Sequence, residues 1–424
     1  MDSSGAGVPE GPEGPLSSSS AAAGADAAAS YAPSSPSGPG NPSPTPIVGS
    51  TPDASLLPEQ AVEAGVVATP APPSPGASSP SACGNWTEDV AFSALTSQGY
   101  PLGRPYAVWG TSDSDLNVAL GVEDGTWPSL IHVAAIAQWH GLAWTVVPLP
   151  ATGSILAMSG TSDADLWMLS APTQESTEIL RNVSGSWVSL AQPAGFPTGF
   201  ALLVLGPEHA LLSARTDNNL VGPGSVFEFA GGNWTPSSLP AGNEPYTLTT
   251  IQAADPTHVL GIGYATAGAM GMGNYVLDAF DGTQWTSSLT KAGPLAVLDE
   301  VVAGPVINYG LVNSYSDSED QIWAVSPDLS SWTLAAEMPE GPDQRALVAT
   351  TAGTVVALRA NYMTSMPAAV TTLTGGSATT CSAGSWGQLV AIAPPGSPNV
   401  HVFTGAQAGI TMQGAHHWLA RVDP

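Results

Sequence analysis

Ala107-Val-Trp-Gly-Thr-Ser-Asp113-Ser-Asp115-Leu-Asn-Val-Ala-Leu120, followed after a variable insert by Ile136-Ala-Gln-Trp139-His140-Gly-Leu-Ala-Trp144, sets out one complete structural unit of this chain. A short apolar run closes on Gly110, an Asp-rich turn follows, and a second apolar run leads into the insert. A third run and a tight turn then deliver Trp144. Apolar and aromatic runs of strand length, separated by Gly, Asp and Ser, read as four short strands. The same order returns in Ala157-Met-Ser-Gly-Thr-Ser-Asp163-Ala-Asp165-Leu-Trp-Met-Leu169 and ends near Trp187.

Working outward from these two units, a Trp-terminated phrase recurs along the chain. It reads His140-Gly-Leu-Ala-Trp144, Ser184-Gly-Ser-Trp187, Gly231-Gly-Asn-Trp234, Asp281-Gly-Thr-Gln-Trp285, Leu329-Ser-Ser-Trp332, Ala383-Gly-Ser-Trp386 and Ala415-His-His-Trp418, with gaps of 43, 47, 51, 47, 54 and 32 residues. A period in the forties with β-rich sequence between turns is the mark of a blade repeated around a propeller. The expected fold is therefore all-β, a β-propeller of seven four-stranded blades. Six or eight remain open at this level, because Trp86-Thr-Glu-Asp-Val-Ala-Phe92 begins a further strand-like piece. Blade 6 is expected to span about 345 to 386, and blade 7 to be compressed into the remainder, ending at Trp418.

The phrases Val108-Trp-Gly-Thr-Ser-Asp-Ser-Asp-Leu116 and Gln138-Trp-His-Gly-Leu-Ala-Trp144 resemble the degenerate propeller repeats of secreted and lipoprotein-like myxobacterial proteins, which read approximately WGxxxxDVWxVG…HWDGxxW. The resemblance spans residues 100–424 and is strongest in the first two units. It departs from kelch repeats, with only Ala230-Gly-Gly-Asn-Trp234 coming near, and the sialidase Asp-box is missing. What the resemblance implies is the fold, not an activity.

Residues 1–82 hold 16 of the 40 prolines and seven acids, with no Lys or Arg. Such a segment buries too little apolar surface to offset its ordering entropy, so it reads as a disordered acidic linker ahead of a propeller over 83–424. The whole chain carries 34 acids against 7 basic residues. Nucleic acid and anionic membrane are poor partners for such a surface, since the charge that neutralises phosphates is missing. No run of about 20 apolar residues is present to span a bilayer. Met1-Asp-Ser-Ser-Gly5 lacks the basic and apolar regions of a signal peptide. A Pro/Ser/Gly/Ala tether before a folded domain is nevertheless what exported bacterial lipoproteins carry after their lipidated cysteine. The expected location is the cell envelope or the extracellular space, with a membrane link only through a lost lipid anchor, and the expected state is a monomer.

Candidate chemistry is sparse. The pairs Asp113/Asp115 and Asp163/Asp165 have two readings, chelation of Ca²⁺ or capping of the turn between the first two strands; their repetition favours the turn. His416 and His417 are adjacent on a strand and point to opposite faces. The remaining histidines lack metal-ligand spacing, so neither a metal nor a cofactor is expected. The innermost strands, from Ala107-Val-Trp-Gly110 to Val390-Ala-Ile-Ala393, are small or apolar apart from Gln252 and Glu300. General acid–base work takes two positioned titratable groups, so no catalytic set is assigned. Cys83 and Cys381 are the only cysteines, each just before a Gly/Ser–Trp phrase, and a disulfide fastening the ring and two unrelated thiols are both open.

The function expected from these observations is a non-enzymatic binding or scaffold propeller that recognises a protein or carbohydrate through its inter-strand loops. Trp127, on a Gly-rich insert, and Trp139 are the candidate contact residues, with Glu300 as a polar candidate at the inner wall. The alternative is a degenerate propeller hydrolase or lyase acting on a carbohydrate at the channel mouth through Glu300 with Asp299 or a nearby His.

Overall fold

The computed structural model describes residues 86–422 apart from short stretches, the longest being 217–223, 266–273 and 361–367. The linker expected over 1–82 and Cys83 lie outside the described residues.

A two-residue strand β1 (Thr87–Glu88) and a helix α1 (Val90–Ser97) precede the blades. Blade 1 comprises β2 (Arg104–Ser112), β3 (Asp115–Asp124), β4 (Ile131–Trp139) and β5 (Trp144–Thr152). Blade 2 comprises β6 (Ser154–Ser162), β7 (Asp165–Thr173), β8 (Ser176–Val183) and β9 (Ser186–Leu190). Blade 3 is β10 (Thr198–Gly206), β11 (His209–Arg215), β12 (Gly224–Ala230) and β13 (Asn233–Ser237). Blade 4 is β14 (Tyr246–Asp255), β15 (His258–Ala265), β16 (Asn274–Phe280) and β17 (Trp285–Leu289). Blade 5 is β18 (Ala296–Val302), β19 (Asn308–Ser314), β20 (Glu319–Val325) and β21 (Trp332–Pro339). Blade 6 is β22 (Gln344–Ala349), β23 (Val355–Ala360), β24 (Ala369–Thr374) and β25 (Ser377–Ser382). The last sheet contains β26 (Leu389–Ile392), β27 (Asn399–Ala408) and β28 (Thr411–Arg421).

Seven four-stranded antiparallel sheets result, and the seventh has the order β1-β28-β27-β26. The first strands of the blades touch in sequence from β2 through β26, and β26 touches β2 again, so the ring is closed. Closure uses hydrogen bonds as well as packing: Thr87 pairs with Leu419 and Glu88 with Trp418, which makes the entering strand the outer edge of blade 7.

This topology corrects two sequence expectations. Trp418 sits on the third strand of its blade, and Trp386 lies in the connection between β25 and β26, so neither ends a blade. The outer strand of blade 6 instead follows the Gly375-Gly376 turn, where both φ angles are positive and a Cβ is strained. Trp86 takes the terminal position in blade 7, just ahead of Thr87, as Trp144-Thr145, Trp234-Thr235, Trp285-Thr286 and Trp332-Thr333 do in blades 1, 3, 4 and 5. Trp86, Trp386 and Trp418 then gather at the seam, with centroids of 86 and 386 at 5.3 Å and of 386 and 418 at 6.1 Å.

The core lies between blades rather than at the centre. Ala119, Ile136 and Leu149 of blade 1 meet Ile155, Leu166 and Met168 of blade 2, and an equivalent cluster fills each following junction. The second strands are sandwiched on both faces, which is why Leu116 through Leu120 are all buried. At the blade 7–blade 1 junction Phe92 and Leu95 of α1 join Leu116, Val118, Trp144 and Phe403.

Candidate functional site

The inner strands enclose a channel of about 520 Å³, lined by residues such as Val108, Met158, Leu203, Val302, Val348 and Ile392. Polar side chains on this wall are limited to Trp109, Ser159, Gln252, Thr350 and Thr351, with no Asp, Glu, His, Lys or Arg among the described lining residues. Glu300 lies on β18 with its backbone opposite Leu311, and its side chain lies outside the described residues. Trp127 also lies outside them. Trp139, at the end of β4, is half-buried and packs on Trp144 with centroids 5.4 Å apart.

One set of polar side chains lies on the rim where the turns between first and second strands project. The Ser-Asp-x-Asp turns of blades 1 and 2 are two-residue connections, with Ser112 paired to Asp115 and Ser162 to Asp165, each beside a bulge at the preceding glycine. Glycine is required there: a Cβ on Gly160 would lie 2.7 Å from the Asp165 carbonyl oxygen, and Gly110 meets the same obstacle at Asp115. The two aspartates of each turn have different tasks. The second accepts from the threonine four residues earlier, Thr111 to Asp115 and Thr161 to Asp165. The first reaches the preceding blade.

Asp113 accepts from Ser397 Oγ at 2.5 Å, Asn399 Nδ2 at 2.6 Å and His401 Nε2 at 2.9 Å, all in blade 7. The His401 hydrogen bond leads the effects that hold the Asp113 carboxyl down at about 2, against partial burial. Asp163 in blade 2 accepts from Asn117 Nδ2 of blade 1 at 2.6 Å, and Gln138 Nε2 in turn donates to Asn117 Oδ1 at 2.8 Å. The repeated aspartate is thus a clasp between neighbouring blades. Sequence spacing shows the turn; it does not show the partners, which come from another blade.

The clasp continues into the seam. His401 and His417, both buried, face each other with Nδ1 and Nε2 3.0 Å apart. His417 Nδ1 lies 3.0 Å from Asp89 Oδ2, which also accepts from Trp144 Nε1 at 2.7 Å. Asp89 Oδ1 accepts from the Ala91 amide at 3.0 Å, capping α1. Burial works against the Asp89 charge, but bonds from His417 and Trp144 keep its carboxyl below the usual range. Burial holds His417 below the usual imidazole range, opposed by Asp89. His416 points the other way, to Glu88 Oε1 at 2.6 Å and Ser93 Oγ at 3.2 Å.

On the same rim, Asp115, His140 and Asp163 bring three potential ligand atoms within 4.8 Å of one another. His140 Nδ1 lies 3.3 Å from Asp163 Oδ2 and 4.0 Å from Asp115 Oδ1. Partial burial and the facing Asp115 carboxylate push the Asp163 carboxyl up, against the Asn117 bond. Nothing in the spacing of 115, 140 and 163 announces this group, because its members come from three turns in two blades.

No known protein family and no curated protein matches the sequence. Among solved structures, the chain is similar to an oligogalacturonate lyase in complex with manganese, with a TM-score of 0.51 and 11% identity over 76% of this chain and 90% of that one. It is similar also to the β-propeller domain of Myceliophteria thermophila Cps50 (Swd1), with a TM-score of 0.47 and 12% identity over 74% and 96% of the two chains. The SapL1 lectin in complex with alpha methyl fucoside gives a TM-score of 0.45 and 13% identity over 68% and 97%. The chain has the β-propeller fold. At such identities the likeness reaches the fold and stops there.

Proposed function

We propose that this chain is a non-enzymatic binding propeller, secreted or tethered to the cell envelope, that recognises a protein or carbohydrate through its inter-strand loops. The observation that carries this reading is the channel wall, whose described residues offer no titratable side chain for general acid–base or nucleophilic work. A ring locked by blade-to-blade clasps is a rigid scaffold, and recognition on such scaffolds is carried by loops. Cys381 is in a disulfide, and disulfides persist in oxidising compartments outside the cytosol, which supports export. The acidic surface favours neutral or cationic ligands over polyanions. The myxobacterial repeat proteins are the family this reading attaches the chain to.

The test is a glycan array probed with the full chain, in parallel with pull-down from an envelope extract. Saturable capture of a defined glycan or protein, with no change in its covalent structure, is the expected result. Cleavage of a captured polysaccharide by the purified chain would instead establish the hydrolase or lyase reading.

A further inference from the structure

We infer that Asp115, His140 and Asp163 form a binding site for one divalent cation of the zinc class on the rim between blades 1 and 2. This goes beyond the loop-binding reading and does not depend on it.

Asp163 gives one oxygen, Oδ1, to Asn117 and turns the other to His140; Asp115 gives Oδ2 to Thr111 and turns Oδ1 to the same point. Asp115 Oδ1 is shut off from solvent and accepts no hydrogen bond. A buried carboxylate oxygen without a donor is costly, more so with a second carboxylate beside it.

The neighbouring repeat shows what normally fills that position. In blade 2, Asp165 Oδ1 accepts from Trp167 Nε1 at 2.9 Å and from Arg181 Nε at 2.8 Å. Trp167 and Arg181 pair across β7 and β8, as Asn117 and Gln138 pair across β3 and β4. Blade 1 therefore has Asn and Gln where blade 2 has the indole and the guanidinium; Asn117 donates to Asp163 and Gln138 to Asn117, so neither of these bonds reaches Asp115. Among the described residues, the positive charge that Arg181 supplies in blade 2 has no side-chain counterpart at Asp115 apart from His140.

The donor set fits a cation. Ligands about 2.0–2.2 Å from a tetrahedral ion stand about 3.3–3.6 Å apart; His140 Nδ1 is already 3.3 Å from Asp163 Oδ2, and the 4.0 Å to Asp115 Oδ1 needs only a small closure. One imidazole and two carboxylates suit Zn²⁺ or its first-row neighbours better than Ca²⁺ or Mg²⁺, which prefer oxygen alone. The Gln138–Asn117–Asp163 series is the kind of outer support that fixes a ligating carboxylate. With His140 half exposed, the fourth position faces solvent and stays open to water or an external ligand.

The test uses the full chain stripped by chelator and titrated with Zn²⁺ in the presence of millimolar Mg²⁺, which occupies weak surface carboxylates. One equivalent of Zn²⁺ is expected to bind, with affinity at least about tenfold lower in both His140→Ala and Asp115→Asn. His209→Ala, at a separate histidine beside Glu228, should bind as the wild type does. Co²⁺ should give a d–d absorption band that changes in His140→Ala. Because His140 is exposed, that variant should melt with the wild type in chelator, so its result stands even where Asp115→Asn fails to fold. Absence of stoichiometric Zn²⁺ binding overturns the inference; so does binding unchanged in His140→Ala.

Discussion

Asp89→Ala tests the seam most sharply, because this side chain ties α1, blade 7 and blade 1 together. It caps the helix through Ala91, accepts from the buried His417 ring, and accepts from the Trp144 indole. Loss of an N-cap costs about 1 kcal/mol, and each hydrogen bond to a charged group contributes about 1.5–3 kcal/mol. The low end of that sum is about 4 kcal/mol. With an unfolding entropy of about 2.1 cal/mol/K per residue over roughly 340 residues, the Tm should fall by about 6 °C. Asp89→Asn keeps the cap and one acceptor, so it should fall between the two. Because the folded Asp89 carboxyl titrates below its ordinary value, its contribution is present above about pH 4 and is lost as pH falls through the lowered value. The gap between wild type and Asp89→Ala should therefore close in acid. Differential scanning calorimetry from pH 3 to 8 reads both effects. A Tm for Asp89→Ala within 1 °C of wild type at pH 7 would refute the claim that these bonds hold the ring shut.

Three further outcomes follow from the packing and the charges. Trp285 is buried against Phe280 with centroids 5.2 Å apart, so Trp285→Ala should lose about 3–5 kcal/mol in urea unfolding. Burial pushes the Asp278 carboxyl up to about 6 despite the Tyr246 hydroxyl, so the stability linked to its proton is complete below about pH 4 and lost as pH rises through 6. Asp278→Asn should accordingly be more stable than wild type at pH 8, by roughly 3 kcal/mol, with the difference vanishing near pH 3.5; a pH series of urea melts decides it. Peptide mapping of the oxidised chain should join Cys381 to Cys83, and reduction should lower the Tm; free thiols at both positions would remove the proposed covalent fastening.

Much of the architecture is legible in the sequence because each blade repeats the same physical problem. A strand buried on both faces must read as continuous apolar sequence, and the turns around it need Gly and Asp. The seam is harder to read. Trp386 and Trp418 carry the repeat's aromatic residue but are followed by Gly387 and Leu419, whereas Trp86 is followed by Thr87 as in four of the other blades. That dipeptide is the signal that identifies the outer strand of blade 7. The rim groups are hidden from the sequence for a different reason. Asp113 meets His401 across 288 positions, and Asp163 meets Asn117 across 46, so their roles as clasps depend on which blades become neighbours. Spacing within one repeat points only to the turn, and the turn is what the aspartates also build.

The loop-binding account is tested most directly by comparing two substitutions against whatever ligand the array or pull-down identifies. Trp127→Ala removes the aromatic candidate on the blade 1 insert, and Ala391→Phe narrows the channel lined by Ala391 and Ile392. Isothermal titration of both variants with that ligand should show affinity reduced at least about tenfold for Trp127→Ala, as for loss of a stacking aromatic, and unchanged for Ala391→Phe. Affinity lost in the channel variant and retained in the loop variant would contradict the account.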